Sequence, residues 1–285
     1  LILNDPKFDC NKSLIVYAYY KSFNSMLSIK FEKYMHEHSQ SINFDYVFPD
    51  GSTIFTAIVS EISRTKKDEF TYQREKNVSN AVNAINFLCA NGADPNKPNK
   101  QGKYPLEISM KSLAELMNTV SIALIDSNKI DLNIKLNTNN DGKYSNSNEY
   151  YIHIAVDLND TSILERMLKD KSVDINIPNS DGNTPLMISC KNRNESKIKL
   201  FFTRDDLDFL HRNNEGKDAL MLLKRNDDDK IEPIQDKNEY LNKLLECFVR
   251  PKPALNSNFN SSNKSGLSFS FKLPSGGMKF NIGKK

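Results

Sequence analysis

The chain has 285 residues, a formal net charge of +3 and 38% hydrophobic residues. A charge so close to balance does not by itself indicate a nucleic-acid partner, and no apolar run approaches the roughly 20 residues that would span a membrane. The four cysteines lie far apart without metal-ligand spacing, which is typical of buried free thiols in a reducing, cytoplasmic compartment.

The first 48 residues are rich in aromatic side chains, and their mixed spacing over a long stretch favours helix over strand. The sequence opens on Leu1 rather than Met, and residues 1–11 read as the end of a unit that starts further upstream. We therefore expect this sequence to be a piece of a longer protein.

A short pattern then recurs along the chain: a glycine turn, a polar residue and an apolar run. Clear copies begin at Gly51, Gly102, Gly182 and Gly216, and degenerate copies begin at Ser13 and Tyr150. In two copies a proline, Pro105 or Pro185, predicts the first turn of a helix, because its ring presets φ and its missing N–H would be unpaired there. The central apolar positions, which we expect to be buried, are Ile15, Phe55, Leu106, Ile152, Leu186 and Leu220.

A second pattern, an apolar run followed by Asp-x-Asn, precedes most copies of the first. It is clearest at residues 87–96 and shorter at 130–133 and 173–176. Gly92 indicates a helix end, since glycine adopts the left-handed conformation at little cost. The repeating order is therefore helix, short turn, helix and extended loop.

Two polar insertions interrupt this order. Residues 65–77 are predicted to lengthen a helix or to form a loop, and residues 135–148, rich in Asn, Ser and Gly, are predicted to be a loop. Residues 238–248 are amphipathic and predict a closing helix. Residues 250–285 are basic, rich in Ser and Gly and free of acidic residues, which predicts a flexible tail; alternating apolar residues at 267–282 predict a β-hairpin within it.

The two patterns, Gly-Asn-Thr-Pro-Leu at 182–186 and Gly-Ala-Asp-Pro-Asn at 92–96, together resemble the ankyrin-repeat family over residues 1–249, most clearly over 149–223. The resemblance implies an all-α solenoid of about five to six helix-turn-helix repeats joined by hairpin loops. It also implies that His153, which holds the place of the family's histidine after Pro-Leu, ties neighbouring hairpins together by hydrogen bonds.

The sequence shows no strong signal for catalysis or for metal binding. The sequence has no phosphate-binding glycine loop, no HExxH and no Gly-x-Ser-x-Gly motif. The segments 36–38 (His-Glu-His) and 227–229 (three Asp) lack metal-ligand spacing and are interpreted as solvated surface. We expect neither catalysis nor a cofactor or metal. Lys197 is likewise interpreted as an ordinary surface lysine.

The resemblance implies that a partner is held by the hairpin tips and by the exposed side of each first helix, on the concave face. The predicted partner-binding residues, to which two phenylalanines of the tail are added, are Lys100, Gln101, Lys103, Lys111, Ser180, Asp181, Lys191, Asn214, Glu215, Lys217, Arg225, Phe269 and Phe271. Basic residues outnumber acidic ones in this set, which favours an acidic protein segment as the partner.

The predicted function is thus a non-catalytic scaffold for protein–protein interaction. Two alternatives stay open. The array is a targeting or autoinhibitory module of a larger signalling enzyme, or the basic groove and tail bind anionic lipid or nucleic acid. A nucleic-acid partner is disfavoured by the small net charge and would show a steep salt dependence.

Overall fold

A computed structural model describes residues 33, 36–37, 44, 47–64, 71–112, 116–136, 149–224 and 234–248. Ten helices lie in the described part of the chain from residue 54 to residue 246. They are α1 (Ile54–Ser63), α2 (Thr71–Ala90), α3 (Pro105–Met110), α4 (Met117–Asp126), α5 (Tyr151–Asp157), α6 (Ser162–Lys169), α7 (Pro185–Lys191), α8 (Glu195–Phe201), α9 (Ala219–Lys224) and α10 (Lys237–Glu246).

The helices form five successive pairs in two layers. The first helices of the pairs, α1, α3, α5, α7 and α9, pack against one another in chain order, and the second helices α2, α4, α6 and α8 do the same. Each pair buries its apolar side only against its neighbours, which is the arrangement of a solenoid. The predicted all-α repeat solenoid is confirmed.

The local signals of the sequence act as predicted. Pro105 and Pro185 each occupy the first turn of a helix. Thr184 caps α7, because its hydroxyl accepts a hydrogen bond from the N–H of Met187 at 3.4 Å. Of the predicted central apolar positions, the five within the described residues, Phe55, Leu106, Ile152, Leu186 and Leu220, are all buried.

The first polar insertion lengthens a helix over the part that is described. Residues 71–77 form the start of α2, which runs for 20 residues, whereas the other second helices have 7 to 10. The second insertion begins and ends at an antiparallel bridge between Lys135 and Tyr150. Residues 137–148 and the predicted tail and hairpin after residue 249 lie outside the described residues.

The Asp-x-Asn pattern connects consecutive repeats. In each case the side-chain NH₂ of the asparagine donates to a backbone carbonyl of the next repeat, and its side-chain oxygen accepts from the backbone N–H of the residue two positions after that carbonyl. For the second of these bonds the nitrogen–oxygen distance is 2.8 Å between Asp131 and Asn96, 2.9 Å between Asp174 and Asn133, and 2.8 Å between Asp208 and Asn176. The next position in this series is Leu210, which cannot continue it.

Buried cations also join consecutive repeats, by binding the carboxyl ends of helices. The Lys197 ammonium on α8 donates to the carbonyls of Val156 at 2.6 Å and Ala155 at 3.4 Å, and also to Leu158, at the end of α5. The Arg204 guanidinium donates in the same way to the carbonyls of Leu168 and Asp170, at the end of α6. Carbonyls in the last turn of a helix lack the usual partner within the helix, and the helix dipole favours a cation there.

The surface interpretation of Lys197 is therefore wrong. Its side chain is only 1% exposed, and burial lowers the pKa of its ammonium below the ordinary lysine value, against the attraction of Asp157 and Asp160. Sequence reasoning missed this because a lysine on a short helix is usually solvated. The three carbonyls that bind it belong to another repeat.

His153 has the role that the resemblance implied. It is fully buried in α5, and its Nε2 lies 3.0 Å from the carbonyl oxygen of Ile177 in the following hairpin. Because a carbonyl only accepts, Nε2 carries the hydrogen. Burial lowers the pKa of His153, against the hydrogen bond to Ile177 and the charges of Glu149 and Asp157.

Candidate partner-binding surface

Three loops before first helices share one turn, and we call them the fingertips: residues 99–103, 179–183 and 213–217. In each, the side-chain oxygen of the leading asparagine accepts hydrogen bonds from two backbone N–H groups. For Asn99 the donors are the N–H groups of Gln101 at 3.0 Å and of Lys103 at 2.9 Å. The same bonds occur at Asn179 and Asn213. The turn of each fingertip is thus fixed by its own sequence.

The fingertips 179–183 and 213–217 are also bonded to each other. The N–H of Asn214 donates to the carbonyl of Asp181 at 3.2 Å, and its side-chain amide donates to the carbonyl of Ser180 at 2.9 Å. Gly182 permits this approach: its φ is +78°, and a Cβ there would lie 2.7 Å from the backbone nitrogen of Asn214. Glycine is required at this position for both its conformation and its size.

Two further hydrogen bonds join fingertips to loops outside the row. The N–H of Lys100 donates to the carbonyl of Gly51 at 2.7 Å, in the preceding loop. The N–H of Ser180 donates to the carboxylate of Glu149 at 2.7 Å. The backbone of the fingertip row is therefore held in place. The side chains that the row exposes to solvent are Lys100, Gln101, Ser180, Asp181, Asn214 and Glu215.

The predicted basic residues do not all present their charge to solvent. Lys103 and Lys111 both contact the buried carboxylate of Glu107, at 3.2 and 2.9 Å. Lys217 lies 3.4 Å from Glu215. Lys191 is exposed at the end of α7. Arg225, Phe269 and Phe271 lie outside the described residues.

Two acidic residues outside the predicted set, Glu107 and Glu149, contact residues of that set. Glu107 stands four residues after Lys103 and four before Lys111, a spacing that indicates ion pairs on one helix face and so was available in the sequence. Glu149 pairs with Lys135 at 3.1 Å. Burial alone would raise the pKa of Glu149, but the hydrogen bonds from Ser180 and Lys135 hold it below its ordinary value.

The carboxylates that contact these lysines differ from one repeat to the next. In the repeat of α3, Lys103 and Lys111 both contact one carboxylate, that of Glu107. Lys135 pairs with Glu149 before α5, and Lys217 pairs with Glu215 before α9.

Among the described residues no cluster of His, Cys, Asp or Glu is placed to bind a metal ion. None of the described helices is both long enough and apolar enough to cross a membrane. Cys89 and Cys190 are buried free thiols and Cys247 is partly buried. Burial raises the pKa of Cys89 and of Cys190 above the ordinary cysteine value.

The stacked helix pairs and the bonded row of loops define a helical-repeat protein. Residues 152–234 match a family model described as ankyrin repeats in three copies. The repeats in this part of the chain match the ankyrin-repeat family, as the resemblance had implied. Ankyrin repeats are typically non-catalytic and generally bind other proteins.

The similar proteins are distant. Over 106 residues, 37% of this chain, the sequence is 32% identical to the BTB/POZ domain and ankyrin repeat-containing protein NPR3 of Oryza sativa subsp. japonica, and the match covers only 16% of that protein. The ankyrin repeat domain of Bcl-3, a member of the IkappaB family, superposes with a TM-score of 0.52 at 13% identity, over 82% of this chain and 85% of that one. This similarity shows the fold alone.

A second solved structure covers 79% of this chain and 97% of its own, at 17% identity and a TM-score of 0.48. It comes from the complex of the Bd0816 predatory endopeptidase of Bdellovibrio bacteriovorus with immunity protein Bd3460.

Proposed function

We propose that this protein is a non-catalytic scaffold that binds another protein through its fingertips and the adjoining side of its first helices, the concave face expected of this fold. One observation carries the proposal: each fingertip backbone is held by hydrogen bonds to a neighbouring loop while its side chains are exposed. A row fixed in this way can bind a partner without first losing backbone freedom, which lowers the entropic cost of association.

The partner that fits best carries an acidic segment. The predicted partner-binding residues support this, because basic residues outnumber acidic ones among them, like charges across an interface cost affinity and opposite charges raise the association rate. Asp181 and the Glu215–Lys217 pair supply polar contacts further along the row. We also propose a reducing, cytoplasmic location, on the ground that Cys89 and Cys190 are buried free thiols.

Site-specific photo-cross-linking tests the surface. A photoreactive phenylalanine analogue replaces Gln101, Ser180 or Asn214 in the fingertips, and Asn83 or Lys199 on the second helices serves as a matched exposed control. After irradiation in cell extract, the fingertip positions should cross-link one and the same protein, and the controls should not. Cross-links from the controls alone would place the interface on the second helices and refute the proposal.

A second proposal is that the array is the targeting module of a longer protein. It is favoured by the rice relative, whose name gives it a BTB/POZ domain in addition to ankyrin repeats and of which the match covers 16%. The sequence of the complete gene tests it. An open reading frame that encodes nothing beyond this repeat array and its tail would exclude it.

A further inference from the structure

Two of the three fingertips are joined to the preceding loop by a bond between main-chain atoms. In the fingertip 99–103 the N–H of the second residue, Lys100, donates to the carbonyl of Gly51 at 2.7 Å. In the fingertip 213–217 the N–H of the second residue, Asn214, donates to the carbonyl of Asp181 at 3.2 Å. Because every residue offers the same carbonyl, these two bonds do not depend on a particular acceptor side chain.

The third fingertip, 179–183, is joined to the preceding loop by a side chain. Ser180 is its second residue, and the N–H of Ser180 donates to Oε1 of Glu149 at 2.7 Å. The other carboxylate oxygen of Glu149, Oε2, lies 3.1 Å from Nζ of Lys135, and the glutamate side chain is only 10% exposed. A carboxylate therefore takes the place that a backbone carbonyl has at the other two fingertips.

The register of the loops explains why Glu149 is the residue that reaches Ser180. The N–H of Leu136 donates to the carbonyl of Glu149 at 2.7 Å, as the N–H of Asn179 donates to the carbonyl of Asn183 at 3.0 Å, so Glu149 and Asn183 each close their loop. The side chain of Asn183 also points to the next fingertip, since its oxygen accepts from the amide of Asn213 at 2.8 Å. The glutamate side chain is one methylene longer and reaches the main chain of that fingertip.

This junction divides the row of fingertips. The fingertips 179–183 and 213–217 are bonded to each other, so they form one unit. His153 holds the base of the first of these loops at Ile177, two residues before the fingertip, with a nitrogen–oxygen distance of 3.0 Å. Glu149 holds the fingertip itself, and it connects the unit to the loop of the preceding repeat.

We propose that Glu149 is a positioning residue of the binding surface, whose carboxylate sets where the fingertips 179–183 and 213–217 lie relative to the fingertip 99–103. A partner that contacts the row on both sides of this junction binds a surface whose spacing is fixed in advance by one side chain, which lowers the cost of association. This inference rests on the proposed function, because the spacing matters only to a partner that spans the row.

Amide hydrogen exchange, measured by NMR on the full chain, tests the bond. Glu149→Ala should speed the exchange of the Ser180 amide about tenfold or more, because a bond to a charged acceptor is lost. The amides of Lys100 and Asn214 hold the same place in their fingertips and are the matched controls; their exchange should change less than about twofold. Glu149→Gln keeps an acceptor oxygen and should restore most of the protection of Ser180.

Distances between spin labels, measured by electron paramagnetic resonance, test the positioning. Labels attached to keto amino acids in place of Gln101 and Asp181, both exposed, report the distance across the junction. Labels in place of Asn83 and Lys199 report the stack of second helices in the same way. Glu149→Ala should broaden the first distance distribution and leave the second unchanged, whereas general loosening of the array would broaden both.

The inference is overturned by unchanged exchange at Ser180, by an unchanged distribution across the junction, or by equal broadening for both pairs of labels. If Glu149→Ala does not fold, Glu149→Asp, whose side chain is one methylene shorter, gives the same comparisons. Neither measurement needs a partner. Failure here with the fingertip cross-links intact therefore removes only this role of Glu149, whereas loss of the cross-links removes the proposed function itself.

Discussion

Replacement of Lys197 tests whether this lysine is buried, because a buried lysine and an ordinary surface lysine would respond very differently. Lys197→Ala removes hydrogen bonds to Ala155, Val156 and Leu158 and leaves the carboxyl end of α5 without its cation. It also removes a buried aliphatic stem, since the side chain is 1% exposed. Both losses act between two repeats, because the lysine lies on α8 and the carbonyls on and just after α5.

The expected cost follows from these contacts. Hydrogen bonds that involve a charged group contribute about 1.5–3 kcal/mol, and each buried methylene about 0.8 kcal/mol. Relief of the ammonium's desolvation, which is also what lowers its pKa, offsets part of the loss. We expect Lys197→Ala to lower the free energy of unfolding by about 2–4 kcal/mol and Lys197→Met, which keeps most of the stem, by about 1–2 kcal/mol.

Urea unfolding followed by circular dichroism measures both variants. The matched control is Lys199→Ala on the same helix: Lys199 is 53% exposed and pairs with Glu195 four residues away, which is worth only about 0.3–0.5 kcal/mol. If Lys197→Ala shifts the unfolding midpoint no more than Lys199→Ala, the buried cap of α5 does not exist in solution and the reasoning is refuted.

Two further predictions concern the core and the buried histidine. Leu186→Ala should cost about 2–5 kcal/mol, because Leu186 is 1% exposed within the core, and hydrogen exchange in α9 and α10 should rise with it; a midpoint shift no larger than that of an exposed-residue variant would contradict this. The wild-type protein should lose stability as the pH falls below the ordinary histidine pKa of about 6.5, because burial lowers the pKa of His153 and only the unfolded chain then takes up the proton readily. This loss of unfolding free energy is at most about 1.4 kcal/mol per pH unit, and it should be absent from the His153→Gln variant. Urea titrations of both proteins at pH 7.5 and 5.5 measure it, and an equal change of stability with pH in both would show that His153 is not the cause.

The fold was predictable because its signals are local. A proline such as Pro185 starts a helix wherever its neighbours permit, and Gly182 turns the chain because only glycine adopts its conformation cheaply. The burial of Leu186 follows from helical periodicity once the repeat is recognised. The tie made by His153 was predictable as well, since it came with the family resemblance.

The loops of the proposed site were predictable as turns, because an asparagine and a glycine at fixed spacing determine each turn, and their binding of a partner stays a prediction. The environment of the lysines was not predictable, because the contacts of Lys103 and Lys111 with Glu107 depend on the burial of that carboxylate. Spacing suggests an ion pair, but burial decides whether its charge is available to a partner.

What the sequence by itself determined is therefore the order of helices and turns and the residues that face the core. Tertiary structure alone decided where the buried cation and the ladder asparagines act. Lys197 binds carbonyls 39 to 42 residues away, and Asn133 bonds to a loop 39 to 41 residues away. The helix ends and loops that offer these groups are common to every repeat, so the partner of a side chain is fixed only when the repeats stack and bring one particular carbonyl within hydrogen-bond distance.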